Sequence, residues 1–261
     1  MVSTDTLLAG VHFKKSDSAI SIGHKCLAVN LSDMAAMGAL PKWVLLNLTL
    51  PEIKPKWLNQ FLQGFADLLN QHQVQLVGGD TTKGPLAITV TVMGETPRAI
   101  QRNTAQINDL IVISGELGSA AFALKHPKKS KPCRQQLTMP KPRLDVAQQV
   151  RNMATAMIDV SDGLLADLGH ICNLSGTGAV IELSQIPVNN DIKQDDKWIQ
   201  YVLAGGDDYQ LCFTISQADE EKLPMGCHII GQMIDGQGIV VLNHHQPITI
   251  DFEGYQHFNH D

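Results

Sequence analysis

Two domains of mixed α/β or α+β type are predicted for this 261-residue chain by three observations. Helical and strand-like patterns mix in each half of the sequence, which is the signature of layered α/β or α+β architecture. A polar stretch with few apolar residues, Pro97 to Asn108, interrupts them near the middle. The length suits either one large domain or two modest ones.

The first half reads as follows. Residues 20–38 form a helix, with Ile22, Cys26, Val29 and Met37 at helical spacing and Gly38 as its stop. Residues 43–50 (WVLLNLTL) are an apolar run of strand length closed by Pro51. Residues 55–72 return to a helical pattern, with Trp57, Phe61, Phe65 and Leu68 on one face. A short strand, Val74 to Val77, runs into Gly78-Gly79-Asp80, and residues 86–94 are β-branched and strand-like. The boundary follows, giving expected domains of residues 1–98 and 99–261.

In the second half, Leu110 to Ser114 reads as a strand and Leu117 to Leu124 as a small-residue helix. Residues 125–134 (KHPKKSKPCR) read as a basic loop, 142–155 as a helix, Ala156 to Val160 as a strand and Gly163 to Leu174 as a helix. Strands are expected at 178–183 and about 209–215, a charged helix near 217–223, and strands near 228–234, 238–242 and 247–252.

Composition narrows the function. The net charge of −6, with ten histidines counted neutral, argues against nucleic acid as a partner, because such a protein carries a basic face. It also sets a condition on phosphate ligands: acidic side chains and phosphates repel, so metal cations must stand between them. Five widely spaced cysteines without a C-x-x-C pair read as reduced thiols, hence a cytoplasmic location. No signal peptide is expected at the start, and no apolar run approaches the roughly 18 residues needed to span a bilayer, so a soluble protein is expected.

The aspartates carry most of the information. They fall where apolar runs stop, beside small or hydroxyl residues: Ser3-Thr4-Asp5-Thr6, Ser32-Asp33, Gly79-Asp80-Thr81-Thr82 and Asp159-Val160-Ser161-Asp162-Gly163. Taken singly, each is more simply a turn former or helix cap, Asp162 before Gly163-Leu164-Leu165 above all. Taken together, such carboxylates could hold more than one magnesium against a polyphosphate, since magnesium takes one or two carboxylates plus phosphate and water oxygens. The usual nucleotide-binding loops, kinase catalytic loop and serine-hydrolase elbow are absent. His170 beside Asp167 reads as a surface histidine next to a solvated carboxylate. His244-His245 reads as an exposed turn, and Lys125, Lys128, Lys129, Lys131 and Arg134 as a solvated loop.

Six segments resemble the thiamine-monophosphate kinase family: VSTDTLLAGVHF (2–13), LAVNLSDMAAMGALP (27–41), GGDTTKGPLAITV (78–90), IDVSDGLLADLGHI (158–171), LAGGDDYQLCFT (203–214) and GYQHF (254–258). The resemblance covers nearly the whole chain. The second and third segments are shared more loosely with relatives that make aminoimidazole ribonucleotide or selenophosphate. The first and fifth point to the thiamine enzymes.

The resemblance implies the two-domain aminoimidazole ribonucleotide synthetase-like fold, α/β (α+β). Its N-terminal domains would pair into a homodimer around a shared β-barrel, with a C-terminal α/β domain beside each. ATP would lie in a groove between the domains, near the partner subunit. Carried over by position, Ser3, Thr4, Asp5, Asp33, Asp80 and Asp159 become magnesium ligands, with Asp162 a further one. Gly79, Asp80, Arg102 and Ser161 become nucleotide contacts, and His12, Asp207 and Tyr255 hold thiamine monophosphate. The implied reaction is direct, magnesium-assisted in-line transfer from ATP to thiamine monophosphate, without a phospho-enzyme.

Three departures stand out. Asp207 replaces a glutamate usual in the family, and residues 125–141 are shorter than in many relatives. The family normally begins further upstream, with a Gly-Asp-Asp motif supplying another magnesium aspartate, whereas this chain starts inside the strand that follows. Two rivals therefore stay open at the level of sequence: a related ATP-using synthetase, and a non-catalytic module that binds thiamine phosphate or nucleotide.

Overall fold

The structure is a computed structural model that describes residues 1–250. Its first six elements are β1 (Val2–Leu8), α1 (Ala19–Ala36), β2 (Leu40–Leu50), α2 (Pro55–His72), β3 (Gln75–Lys83) and β4 (Ala87–Glu95). Ser18 starts α1 by accepting the Ser21 N–H, and Pro55 opens α2, where a missing N–H costs nothing. The four strands form one sheet in the order β1-β4-β2-β3, antiparallel except for the β2–β3 pair. Alternation along β2 and β4 buries Val44, Leu46, Leu48, Ile88, Val90 and Val92. The opposite face carries a threonine ladder, with hydroxyl pairs Thr4–Thr91 and Thr6–Thr89 each at 2.8 Å.

β3 extends well beyond the expected Val74–Val77. It continues through Gly78-Gly79-Asp80 because β2 is long enough to pair with it as far as Lys83, with a register shift at Val44/Leu45. Its residues are exposed throughout, and it forms an open edge of the sheet opposite β1. The described chain thus contributes an open four-stranded sheet and no closed barrel.

The remaining elements are β5 (Leu110–Ile113), α3 (Ser119–Lys125), α4 (Lys131–Thr138), α5 (Leu144–Val150), β6 (Ala154–Asp159), α6 (Leu164–Ser175) and β7 (Gly178–Glu182), followed by α7 (Asn190–Lys193), α8 (Trp198–Ala204), β8 (Leu211–Ile215), β9 (His228–Ile234), β10 (Ile239–Asn243) and β11 (Gln246–Pro247). Seven strands form the second sheet in the order β11-β10-β7-β9-β5-β8-β6. The expected basic loop is half helix, since Ser130 accepts the Cys133 N–H and Pro132 lies in the first turn of α4. The expected helix over 142–155 ends at Val150, because Ala154 already pairs with Ile215. The charged segment near 217–223 is a tight 3-10 helix, Gln217–Lys222; of the expected final strand only the short β11 forms, residues 248–250 are not strand, and 251–252 lie outside the described residues.

α1 is the structural bridge. One core joins its residues Ile22, Leu27, Leu31 and Met34 to the four-stranded sheet and to Met157, Leu211 and Phe213 of the seven-stranded one. A second core lies around α6 and α8 on the far side of β6 and β8. Among the described residues no helix is long and apolar enough to cross a membrane.

α1 and α2 approach backbone to backbone at two glycines. A Cβ on Gly64 would lie 2.0 Å from the Ile20 carbonyl oxygen, and one on Gly23 equally close to that of Phe61. Gly64→Ala is therefore expected to destabilise the protein by about 1–3 kcal/mol. Gly169→Ala, a position in α6 with no atom near the new methyl, should be neutral or stabilising by up to about 1 kcal/mol. Urea-denaturation midpoints check both; equal midpoints for the two variants would contradict the close-crossing argument.

Candidate active site

The alternation that buries Leu7 on β1 also turns Ser3 and Asp5 toward α1, where Asp33 lies in the last turn. The Ser3 hydroxyl donates to Asp33 at 2.5 Å and reaches Asn30 at 3.2 Å. Three effects make negative charge costly here. Burial removes water, the C-terminal end of a helix dipole is negative, and the Asp5 and Asp33 carboxyls touch. Asp5 is pushed up to about 6, first by burial and then by the charge of Asp33. Asp33 is raised as well, mainly by burial, although the Ser3 hydroxyl and the positive charge of Arg102 oppose the shift.

Asp159 ends β6 and is 3% exposed. The Ser32 hydroxyl, one residue before Asp33, donates to it at 2.6 Å. Burial and the neighbouring Asp33 charge push it up to about 8. Among the described residues no three His, Cys, Asp or Glu side chains stand close enough to enclose an ion as they are. Hard oxygen donors spread along one wall nevertheless suit magnesium, which completes its octahedron with water and phosphate oxygens.

Asp162 does not cap the next helix. Gly163 occupies the cap position at φ 122°, and Asp167 reaches back from the first turn to accept the N–H groups of Ser161, Asp162 and Gly163 at 3.0, 3.1 and 3.1 Å. Asp167 is buried and not the solvated carboxylate the sequence led us to expect. Burial raises it to about 6 against the pull of those N–H groups. Its effect is to hold the Ser161–Asp162 turn facing the carboxylates.

The Gly205-Gly206-Asp207-Asp208-Tyr209 segment closes the same site. A Cβ on Gly206 would lie 2.4 Å from the Ser161 carbonyl oxygen, so this turn and the Ser161 turn can lie together only without a side chain there. Asp207 and Tyr209 both adopt left-handed backbone, at φ 66° and 49°. That conformation sends Asp208 inward, where it accepts the Gly118 and Ala120 N–H groups at 2.6 and 3.3 Å and is pushed up to about 7 by burial. Asp207 is left in the crevice, bonded to Lys25 at 2.9 Å and accepting the Tyr209 hydroxyl at 2.8 Å.

Asp5, Asp33, Asp159, Ser161, Asp162 and Asp207 line one cavity of about 400 Å³. It adjoins a lobe of about 480 Å³ walled by Phe13, Lys14, Lys128 and Arg134, with His12, Lys25 and Asp207 common to both. His12 is oriented by the Leu8 N–H, which donates to its Nδ1 at 3.0 Å. Other sequence-derived candidates stand outside its lining. The Thr4 side chain is on the opposite face of the sheet, and Gly79 and Asp80 are on edge strand β3, three strand spacings or about 14 Å from Asp5. Asp80 pairs with exposed Asn47, on the face away from the helices. Arg102 does not line the cavity, although its charge is felt at Asp33. Tyr255 lies outside the described residues. The motif reading missed Lys25, Asp167 and Tyr209. A lysine directly before the apolar run Cys26-Leu27-Ala28-Val29 of α1 was the available signal for the first.

The raised carboxylates fix a pH dependence. Asp5 and Asp159 bind protons more tightly folded than unfolded, so their contribution favours the native state below pH 4 and is lost as pH rises toward 8. The metal-free melting temperature should carry a falling component between pH 5 and 8, reduced in Asp159→Asn and reduced by added magnesium. Thermal melts with and without a chelator check this; an identical pH slope in the variant would contradict it.

Residues 1–96 match the family model described as AIR synthase related protein, N-terminal domain, and residues 106–243 match the corresponding C-terminal domain. The thiamine-monophosphate kinase of Escherichia coli (strain K12) is 38% identical over 98% of this chain and 86% of its own length. That of Haemophilus influenzae is 40% identical with the same coverage. Among solved structures, the thiamine-monophosphate kinase from Stenotrophomonas maltophilia K279a aligns with a TM-score of 0.88 at 40% identity, covering 95% of this chain and 86% of that one. A structure described as AaThiL complexed with AMPPCP and TMP aligns at 0.89 and 31% identity, covering 98% and 86%. With its acidic crevice built from the segments that carry the resemblance, this chain belongs to the thiamine-monophosphate kinase family.

Proposed function

We propose that this chain transfers the γ-phosphoryl group of ATP to thiamine monophosphate, giving thiamine diphosphate and ADP, as a cytoplasmic enzyme. The observation that carries this reading is the meeting of Asp5, Asp33 and Asp159 with the Ser161–Asp162 turn in one cavity that Asp207 also lines. The family's activity and a solved relative with AMPPCP and TMP bound agree with it.

An oxygen of the acceptor phosphate attacks the γ-phosphorus in line, and the bond from that phosphorus to the β–γ bridging oxygen breaks, releasing ADP. The obstacle is the approach of two anions, which repel by about 4 kcal/mol per pair of unit charges at 4 Å and an effective dielectric near 20. Magnesium ions, when bound, neutralise the phosphate oxygens and the charge that develops on transfer. Asp5, Asp33 and Asp159, with Ser3 and Asp162, are the residues that would hold them. Arg102 and Ser161 meet the nucleotide, and His12, Asp207 and Tyr255 the acceptor. The acceptor phosphate is largely ionised at neutral pH, so the protein needs no strong general base and acts by position and charge.

The edge position of Asp80 supports a site shared between two copies. β1 and β3 are opposite open edges, and Asp5, Val90, Leu46 and Gly79 share one row across it. If two such sheets close into one barrel about a twofold axis, β1 of each copy lies beside β3 of the other. We propose this homodimer, with residues 1–98 as its pairing domain and 99–261 as the second. Gly79 then stands beside the Asp5 row of the neighbouring copy, one strand spacing of about 5 Å away, and Asp80 follows it along that shared edge.

ADP release should require thiamine monophosphate, and Asp33→Asn and Asp80→Asn should each lower kcat by at least about a hundredfold without unfolding the protein. A rival synthetase would consume ATP without thiamine monophosphate, and a binding module would bind both ligands without forming thiamine diphosphate. Co-expression of Asp33→Asn with Asp80→Asn chains should restore part of the activity, because a mixed dimer contains one intact site. Absence of any recovery in isolated mixed dimers would contradict the shared site.

A further inference from the structure

Lys25 is a cation in the wall of an otherwise acidic crevice, and nothing in the reaction described above uses it. Its side chain is only 5% exposed, yet it lines both the 400 Å³ and the 480 Å³ lobes. Its ammonium donates to Asp207 at 2.9 Å and to the His12 carbonyl oxygen at 3.2 Å. An ammonium has three protons to donate, so among the described residues one is left without an acceptor. Asp207 is differently placed: 37% of its side chain is exposed, and the Tyr209 hydroxyl supplies a second donor.

The pair therefore presents a fixed cation and a more open anion side by side where the lobes join. Thiamine monophosphate has the complementary arrangement, a permanently charged thiazolium ring and a phosphate dianion in one small molecule. We propose that Lys25 is a specificity-determining residue that contacts the acceptor phosphate, while Asp207 is shared between Lys25 and the acceptor's cationic ring. This rests on the kinase reading and deepens it. The carboxylates Asp5, Asp33 and Asp159 serve the metal-bound nucleotide at one end of the cavity, and Lys25 serves the acceptor anion at the other. Lys14, Lys128 and Arg134 add positive charge to the outer lobe, but they lie on exposed loops and the exposed helix surface, whereas Lys25 is fixed by two bonds from the chain itself.

Thiamine, which keeps the cation and lacks the phosphate, separates this role from a structural one. Calorimetry of the full chain with Lys25→Gln should show binding of thiamine monophosphate weakened roughly tenfold to a hundredfold, with thiamine weakened less than about threefold. Lys25→Arg, which keeps the charge, should recover most of the loss, and in turnover the KM for thiamine monophosphate should rise while that for ATP stays. Equal weakening of both ligands in a folded Lys25→Gln variant, or no weakening of either, would overturn the proposal. If that variant does not fold, the unmodified protein in chelator decides: it should bind thiamine monophosphate more tightly than thiamine, and no preference would overturn the assignment. Failure of the unmodified protein to bind thiamine monophosphate at all, with or without magnesium, would overturn the kinase reading as well.

Discussion

Burial of neighbouring carboxylates, with repulsion between them adding to its cost, is the constraint around which this site is organised. A fold gains nothing by placing Asp5 against Asp33 at the negative end of a helix, with Asp159 close behind, since each position raises the cost of charge. Such an arrangement persists only where the surroundings enforce it. Here the enforcement is visible: hydroxyls of Ser3 and Ser32 tie down Asp33 and Asp159, and Asp167 locks the adjoining turn through three N–H groups. The cost of charge on these carboxylates is what a bound divalent cation would offset under the proposed function.

α1 gives this chemistry its geometry. Lys25, Val29 and Asp33 stand four residues apart and face the same cavity, as helical periodicity requires. Eight residues at 1.5 Å each separate the cation from the carboxylate by about 12 Å along the axis. One rigid element therefore sets the spacing between the proposed acceptor end of the site and the proposed metal end. The close crossing with α2 and the core shared by both sheets keep that element from shifting.

Much of this was legible in the sequence, for reasons that differ by residue. The helices at α1 and α2 announced themselves by apolar spacing, and the β-branched run of β4 by its composition. Asp5, Asp33, Asp159 and Asp162 stood out because small and hydroxyl neighbours mark a backbone that a ligand can approach. What stayed hidden depends on contacts between distant segments. No local pattern reveals that Asp167 folds back on three N–H groups, that β2 draws Gly79 and Asp80 into an edge strand, or that Ser130 turns half of a lysine-rich loop into α4. The side-chain direction of Thr4 was readable from the alternation of β1, whereas its place beside Ser3 and Asp5 as a ligand came from the family resemblance, position by position. Lys25 was passed over because a lysine in an apolar helix has no motif; its meaning lies in Asp207, 182 residues away in sequence.

The central claim, that distant aspartates gather to hold metal against nucleotide, can be observed directly. Crystals grown with manganese in place of magnesium and a non-hydrolysable ATP analogue would locate the ions by anomalous scattering. The account predicts manganese peaks within coordination distance of Asp5, Asp33 and Asp159, with the analogue's phosphates completing the shell. Ordered analogue with no manganese at these carboxylates, or with manganese bound only elsewhere, would contradict it.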